Sequence, residues 1–496
     1  MNLIYQNIIS NYIGKVWGFL SVFVFVPVYI KILGIESYSI ISFYTVILTI
    51  LLFADAGLSA TLSREMAKTS DKVYLGNLLH TIERLYLGIC FIVIILILSG
   101  ADLVAINWLK TSIYSQSELS TMISIMGASV ALQLFSTMYN SGLMGLQKQV
   151  KANILQVSFS FARSGLVLLP LFFWPTLWTY FFWQLAVNII FLLLNRTSLW
   201  AEIRIDKFEY VFKPEILKTV GRFALGMMTM AILSSLNTQL DKIVVGKLLS
   251  LVEFGYYSLA GTLSQMPIIV ITPIAIAILP TITKLSHEKD KSELKVIFHQ
   301  YASIISILAC AVCLPLLLFS EQLVYLWTSD LVISKNIKFV TKILTLGSLF
   351  LSMQYMPYHL AIANGHTRTN ILLSILGLLC TVPILFFVLN HFGFEAAGFP
   401  WLFLNSVFFL ILGYLIINRF LSGAFLIWLF KDIGLPLMVN VIIGLLIGTS
   451  GYLPRNHFET IIVSTTIGAI SIGLTFILHN ILFKKWAIQL KSFYSH

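Results

Sequence analysis

The amino-acid sequence predicts an all-α polytopic membrane protein with about fourteen transmembrane helices. Of its 496 residues, 58% are hydrophobic and only 11% are charged, whereas about a quarter of the residues of a soluble protein are charged. Apolar runs long enough to span a bilayer, which takes ~20 residues each, recur along the whole chain. The loops between them are short, and none has the length of a folded domain.

The apolar runs define the predicted spans in chain order. They cover residues 8–30, 38–63, 79–99, 120–146, 152–173, 176–196, 219–245, 254–280, 298–319, 338–363, 369–390, 396–418, 432–450 and 458–482. The first run has no basic region before it and no small-residue cleavage pattern after it. We therefore expect a retained first span and not a cleaved signal.

Lys and Arg are distributed unequally between the two sides of these spans. With the N-terminus inside, the cytoplasmic segments carry 21 of them and the outer loops carry six. Because cytoplasmic loops of membrane proteins collect Lys and Arg, both termini are predicted to lie in the cytoplasm. The same rule accounts for the net charge of +11 without a nucleic-acid partner.

The sequence also contains an internal duplication at an offset near 217 residues. Lys151 falls on Arg368 and Asn188 falls on Asn405, at equivalent points of the span pattern. Each unit holds six spans, so both have the same orientation, as in a parallel repeat around a central cavity. The predicted domains are an N-terminal six-helix bundle over 1–200, a cytoplasmic linker over 201–218, a C-terminal six-helix bundle over 219–420, and helices 13 and 14 with a cytoplasmic tail over 421–496.

Motifs for catalysis or metal binding are missing from the sequence. Cys310 and Cys313 form a CxxC, but the surroundings are apolar and no second ligand pair follows, whereas a structural zinc site needs four ligands. There is no GxxxxGK[ST] motif for nucleotide binding. We expect no enzymatic activity, no metal and no cofactor, with coupling to a proton or to sodium left open.

Charged residues inside the predicted spans are costly, by ~2.5 kcal/mol or more each on insertion scales. Leaving aside the charges at the span ends that are counted with the loops, five are cations (Lys15, Arg84, Arg163, Lys242, Lys342) and three are anions (Asp55, Glu83, Asp241). The cation excess predicts a cavity of positive potential that attracts an anionic cargo such as a phosphate. The alternative is a set of internal salt bridges, among them Lys15–Asp55 and Glu83–Arg84.

Polar residues follow one face of several spans and supply the candidate site. The substrate-binding candidates are Lys15, Asp55, Arg84, Gln133, Asn140, Arg163, Tyr355 and His359. Arg163 is assigned to cargo contact because no carboxylate lies at its depth on the neighbouring spans. Asp55 is expected to position a cavity cation, so Asp55→Asn should impair function less than loss of that cation. Asp241 and Glu83 are candidates for ion coupling, and helix–helix packing is the alternative throughout.

Three stretches resemble one family of transporters. FADAGLSATLSREMAK (Phe53 to Lys68) resembles the end of the second span in Wzx-type polysaccharide flippases of the multidrug/oligosaccharidyl-lipid/polysaccharide exporter superfamily. LDKIVVGKLLSLVEFGYYSLAG (Leu240 to Gly261) is similar to the signature after span 7, and FGFEAAGFPWLFLN (Phe392 to Asn405) to the start of span 12. The resemblance covers nearly the whole chain.

The resemblance implies transport of an undecaprenyl-pyrophosphate-linked oligosaccharide from the cytoplasmic to the periplasmic leaflet of the bacterial inner membrane by alternating access. It implies that cations of the first bundle, here Lys15, Arg84 and Arg163, bind the pyrophosphate. Membrane lipids and the polymerase and chain-length proteins of the pathway are the implied partners. A multidrug/cation antiporter is the alternative, although its cavity should be acidic. A lipid II flippase is another, although that group carries several arginines where this chain has only Lys15.

Overall fold

The computed structural model describes residues 3–111, 113–205, 209–288 and 291–493, and their side chains except at 3–16, 19, 52–54, 56, 216–227, 229–230, 233–234, 480 and 482–493. Over these residues the chain is built of helices and contains no strand. The helices are α1 (Leu3–Leu33), α2 (Ile35–Lys68), α3 (Lys72–Asn107), α4 (Gln116–Gly145), α5 (Gln149–Ser164), α6 (Leu168–Phe173), α7 (Leu177–Ile203), α8 (Pro214–Leu248), α9 (Leu251–Ser264), α10 (Met266–Glu288), α11 (Lys291–Leu318), α12 (Ser320–Thr328), α13 (Leu331–Met353), α14 (Tyr355–Ala363), α15 (Arg368–Phe392), α16 (Phe399–Phe420), α17 (Phe425–Ile427), α18 (Leu435–Ser450) and α19 (His457–Phe493). A 3₁₀ turn (Phe394–Gly398) precedes α16, and a π-helical turn (Trp428–Gly434) joins α17 to α18.

The predicted all-α membrane class is confirmed. Among the described residues, ten helical segments are long and apolar enough to cross a membrane. Two shorter apolar stretches, Leu20–Leu33 and Ile35–Leu51, lie within α1 and α2. The outward-facing apolar side chains of these helices, such as Phe91 and Leu96 on α3, are more than half exposed, as expected for surfaces that contact lipid.

Three of the predicted spans are each interrupted by a break that divides them into two helices. The breaks lie between α5 and α6, between α9 and α10, and between α13 and α14. Each is followed within the first turn of the next helix by a proline, namely Pro170, Pro267 or Pro357. Proline lacks the N–H that a continuous helix would need there, but it fits the first turn of a new helix.

Polar side chains outside the apolar runs define where several helices begin. Asp71, Thr176 and Asp330 accept hydrogen bonds from the first backbone N–H groups of α3, α7 and α13. Ser115 and Glu118 form a reciprocal capping box at the start of α4. These caps satisfy backbone donors that have no partner inside the helix.

The chain divides into two compact units, Met1–Gly255 and Tyr256–His496. In the first unit, apolar residues of α2, α3, α4 and α7 form a core that includes Leu62 and Tyr139. In the second unit, α10, α11, α13 to α16 and the π-helical turn share a core that includes Phe298 and Trp428. Helix α8 belongs to the first unit and packs against α2. The repeat-based domain boundaries remain a prediction, because compactness does not test a sequence duplication.

The polar stripe on predicted span 10 lies in packed protein. Thr341, Thr345 and Ser352 are fully buried, and their hydroxyls donate to the carbonyls of Ile337, Thr341 and Ser348 in the preceding turn. Hydroxyls bonded within their own helix have no need of a hydrated cavity. For this stripe the structure therefore supports the packing alternative.

Gly145 sets the close approach of α4 to α2. A Cβ atom at this position would lie 2.4 Å from the backbone oxygen of Ser63, whereas a Cβ at Gly88 on α3 would meet no atom within 4 Å. We predict that Gly145→Ala lowers the free energy of unfolding by about 1–3 kcal/mol through overpacking. Thermal unfolding of the detergent-solubilised protein measures this, and Gly88→Ala is the matched control. Equal melting temperatures for the two variants would contradict the prediction.

Candidate functional site

The break between α5 and α6 exposes three consecutive backbone carbonyls in the first unit. The N–H groups of Gly165 and Leu166 both donate to Phe161, at 2.7 and 3.1 Å, and that of Leu168 donates to Gly165 at 3.1 Å. The carbonyls of residues 162, 163 and 164 therefore lose the partners that a continuous helix would provide. In hydrocarbon such groups must be satisfied within the protein.

Side chains from α1 and α7 supply the missing partners. Trp183 Nε1 donates to the Ala162 carbonyl at 2.9 Å, and Gln184 Nε2 donates to the Arg163 carbonyl at 3.1 Å. The hydroxyl of Tyr29 donates to the carbonyl of Ser164. The interrupted helix is thus fixed in place, and Arg163 lies in its last turn.

Arg163 is held by neutral groups on neighbouring helices. Its Nε donates to Gln184 Oε1 at 2.7 Å and its Nη1 donates to Gln133 Oε1 at 2.9 Å. Its guanidinium also lies over the ring of Tyr44, 5.4 Å from the centroid. Within the described part of the chain, none of the ion pairs includes Arg163. The half-buried guanidinium is therefore oriented but not neutralised.

Asp55 is buried among hydroxyl groups. Its Oδ2 accepts a hydrogen bond from Ser59 at 2.6 Å, and its Oδ1 accepts one from the hydroxyl of Tyr86 on α3. The predicted cationic partner, Lys15, lies outside the described side chains. The structure therefore places Asp55 in a hydroxyl network between α2 and α3, and its pairing with Lys15 remains a prediction.

Glu83 lies one turn before Tyr86 on α3 and forms a separate network. Its Oε1 accepts hydrogen bonds from Tyr139 at 2.6 Å, from Trp200 at 2.8 Å and from Arg196 at 3.3 Å. The alternative of a Glu83–Arg84 bridge is not what the structure shows: Glu83 pairs with Arg196, because adjacent residues of a helix point in different directions. The ion-coupling role proposed for Glu83 is untested, and the structure shows its carboxylate tied to α4 and α7.

Arg84 lies apart from both networks. It is exposed on the same face of α3 as Leu87 and Phe91, which are 58% and 65% exposed. Its role in cargo binding remains a prediction. The structure does not bring Arg84 together with Arg163 or Asp55.

The two polar candidates on α4 have different environments. Gln133 contacts Arg163, as described above. Asn140 donates to the backbone carbonyl of Ala152 at 3.0 Å and connects α4 to the first turn of α5. Gln133 is therefore part of the Arg163 site, whereas Asn140 positions the helix that carries Arg163.

The remaining candidates lie on other helices. In the second unit, the His359 ring is buried between Tyr355 and Tyr358, with centroids at 6.0 and 5.6 Å. Tyr355 also accepts a hydrogen bond from Thr272 at 3.3 Å. Asp241 lies on α8 of the first unit, next to Lys242, with which it interacts electrostatically. No group of three metal-ligating side chains occurs among the residues that the structure describes.

Sequence reasoning missed Gln184, the residue that contacts both the side chain and the backbone of Arg163. It lies on α7 in a buried polar series with Asn188 and Asn195, four and eleven residues further on. These spacings place the three amides on one helix face. That stripe on predicted span 6 was the available signal.

Two family models and one curated relative match this chain. The family model described as polysaccharide biosynthesis protein matches residues 4–286, and the MatE model matches residues 226–387. A putative O-antigen transporter of Shigella flexneri is 21% identical over 414 residues, which are 80% of this chain and 94% of that protein.

Two solved structures share the architecture. The lipid II flippase MurJ in an inward closed conformation superposes with a TM-score of 0.75 at 13% identity, over 97% of this chain and 99% of that chain. An inward-facing multidrug resistance MATE family transporter of the MOP superfamily gives 0.68 at 19% identity, over 86% and 99%. At these identities the likeness shows the fold alone. The match to the first family model extends over more than half of the sequence, and the chain therefore belongs to the polysaccharide biosynthesis protein family, as a Wzx-type member of the multidrug/oligosaccharidyl-lipid/polysaccharide exporter superfamily of membrane transporters.

Proposed function

We propose that this protein is a flippase that moves an undecaprenyl-pyrophosphate-linked oligosaccharide, an O-antigen or capsule repeat unit, from the cytoplasmic to the periplasmic leaflet by alternating access. The observation that carries the proposal is Arg163, a half-buried cation whose hydrogen-bond partners among the described residues are neutral. The name of the Shigella relative, a putative O-antigen transporter, supports the cargo class.

Arg163 has the chemistry that a pyrophosphate requires. A guanidinium carries five N–H donors and stays charged at any physiological pH. Two of these donors contact Gln133 and Gln184, which fix the plane of the group. The others remain for phosphate oxygens, which guanidinium groups bind in bidentate fashion. Helix C-termini also favour a cation, because their carbonyls carry partial negative charge.

The charges of the first unit favour an anionic over a cationic cargo. A cationic drug would need an accessible carboxylate, but Asp55 and Glu83 are both buried and both accept hydrogen bonds from tyrosine. The third anion of this unit, Asp241, lies beside the cation of Lys242. Arg163, in contrast, has no acidic partner in the described part of the chain. The multidrug antiporter alternative therefore accounts less well for this unit.

The location follows from the same proposal. The excess of Lys and Arg in one set of loops supports cytoplasmic termini in the bacterial inner membrane. Cargo then enters from the cytoplasm, where lipid-linked units are assembled, and leaves to the polymerase and chain-length proteins outside. Because translocation breaks no covalent bond, the function needs no catalytic residue.

Deletion tests the function as a whole. In a bacterium that makes a surface polysaccharide with this protein, we expect deletion to abolish the surface polymer and to raise the level of lipid-linked units inside. A plasmid copy should restore both. Unchanged surface polymer without internal accumulation would refute the flippase proposal.

Arg163→Ala tests the cation. We predict a loss of export of about tenfold or more, the loss expected when a hydrogen bond to a charged group is removed. Arg163→Lys should retain part of the export, because a lysine keeps the charge but not the planar set of donors. Surface polymer is measured at matched protein levels, with Arg84→Ala as the comparison from an exposed site on α3. Full export by Arg163→Ala would remove this residue from the site.

Asp55→Asn tests the hydroxyl network. We predict that it retains more export than Arg163→Ala, because an asparagine keeps one carbonyl oxygen for Ser59 or Tyr86. Asp102→Asn is the matched control, since Asp102 also accepts from a serine, Ser120, but at an exposed site. The same export assay measures all three variants. Export by Asp55→Asn below that of Arg163→Ala would assign Asp55 a direct role in transport.

A further inference from the structure

The second unit contains a buried ionisable pair that the proposed export site does not use. His299 on α11 places Nδ1 2.5 Å from Oδ2 of Asp432, and Ser303 Oγ donates to the other carboxylate oxygen at 3.0 Å. His299 is 3% exposed and Asp432 is fully buried. A carboxylate this deep is tolerated only when it is hydrogen-bonded and its charge is compensated.

The π-helical turn brings Asp432 to this position. Pro436 follows it at the start of α18 and has no N–H to donate to the carbonyls of residues 431 or 432. Trp428 anchors the start of the turn, with its ring 5.1 Å from that of Phe409. A Cβ on Gly413 would lie 2.3 Å from the Trp428 ring, so a larger residue there would displace it. Such turns are frequent at functional sites.

Two further titratable groups act on the pair. Lys431 precedes Asp432 in the turn, and the two interact electrostatically. His479 on α19 interacts with both His299 and Lys431. With the pair itself, these groups form a cluster of one carboxylate and three basic side chains, contributed by α11, the π-helical turn and α19.

The two ring nitrogens of His299 have different surroundings. Nδ1 faces Asp432, whereas Nε2 is buried without a hydrogen-bond partner among the described residues. Gain or loss of a proton at Nε2 changes the charge of the pair by one unit. Because an uncompensated buried charge is costly, the packing of the surrounding helices must respond to that change.

We propose that the His299–Asp432 pair is a proton-binding site that couples proton uptake to the conformational cycle of this transporter. The groups beside the carboxylate are two imidazoles and a lysine amine. They favour a proton over sodium or calcium, because such metal ions select oxygen ligands. The pair connects α11, inside the predicted repeat, to the helices outside it. Proton binding stands by itself as a claim, whereas coupling rests on the proposed export function.

Proton binding can be measured without transport. The full chain, labelled with ¹⁵N-histidine in lipid nanodiscs, is titrated from about pH 5 to about pH 8, where histidine ordinarily titrates. The signal that disappears in His299→Gln is expected to change with pH in the wild-type protein. Its midpoint should move in Asp432→Asn and stay in place in His391→Gln, which alters an exposed histidine of the same unit. A His299 signal that does not change over this range, in folded protein, would overturn the site.

Coupling is measured in proteoliposomes with an imposed pH gradient and an added lipid-linked oligosaccharide. The wild-type rate is expected to depend on the gradient. His299→Gln and Asp432→Asn should keep downhill movement but lose this dependence, whereas Asp330→Asn, which alters a partly exposed helix cap, should keep it. Variant rates that follow the gradient as the wild type does would overturn coupling. No movement by the wild-type protein would refute the export function instead, and the histidine titration would still decide whether the proton site exists. Where Asp432→Asn does not fold, His299→Gln and the wild-type titration decide.

Discussion

The structure depends on one constraint: a backbone N–H or carbonyl in hydrocarbon has no water to bond with. Long helices satisfy it by themselves, and most of the described chain is helical. The break at Gly165 leaves carbonyls without a partner in their own helix. Trp183, Gln184 and Tyr29 donate hydrogen bonds to these carbonyls. Because Gln184 also accepts a hydrogen bond from the Arg163 side chain, the same contacts fix the position of that guanidinium.

The same solvent determines how charges are arranged in the first unit. Asp55 and Glu83 are each bound by a tyrosine hydroxyl, and the rings of those tyrosines, Tyr86 and Tyr139, stack on either side of Phe135 at 5.9 and 5.3 Å. The two carboxylates therefore lie in the core, and the same tyrosines provide both the packing and the hydrogen bonds to them. Arg163 is oriented by amide dipoles instead, so its charge stays available to a ligand.

The candidate site could be predicted only in part. The sequence identified Arg163, because a cation deep in an apolar run is costly and needs a reason. It also identified Gln133, through helical periodicity. It could not separate a stripe that lines a cavity from a stripe that packs against other helices, because both place polar residues on one helix face. The structure shows that the hydroxyls of α13 are buried. The only partner that the sequence offered for Glu83, as an alternative, was the neighbouring Arg84, whereas the partner Arg196 comes from α7, 113 residues along the chain.

The sequence by itself determined the class of this protein, its helical content and its family resemblance. Hydrophobicity and periodicity are local properties of the sequence. In a bilayer an apolar segment of sufficient length forms a helix, because its backbone groups must bond within the segment. Only the tertiary structure decided which donor binds which carboxylate and where a span breaks into two helices. It also brought Nδ1 of His299 within 2.5 Å of Oδ2 of Asp432, although the two residues are 133 positions apart in the chain. Such pairings depend on how helices far apart in the chain pack together. Composition and residue spacing do not specify this packing.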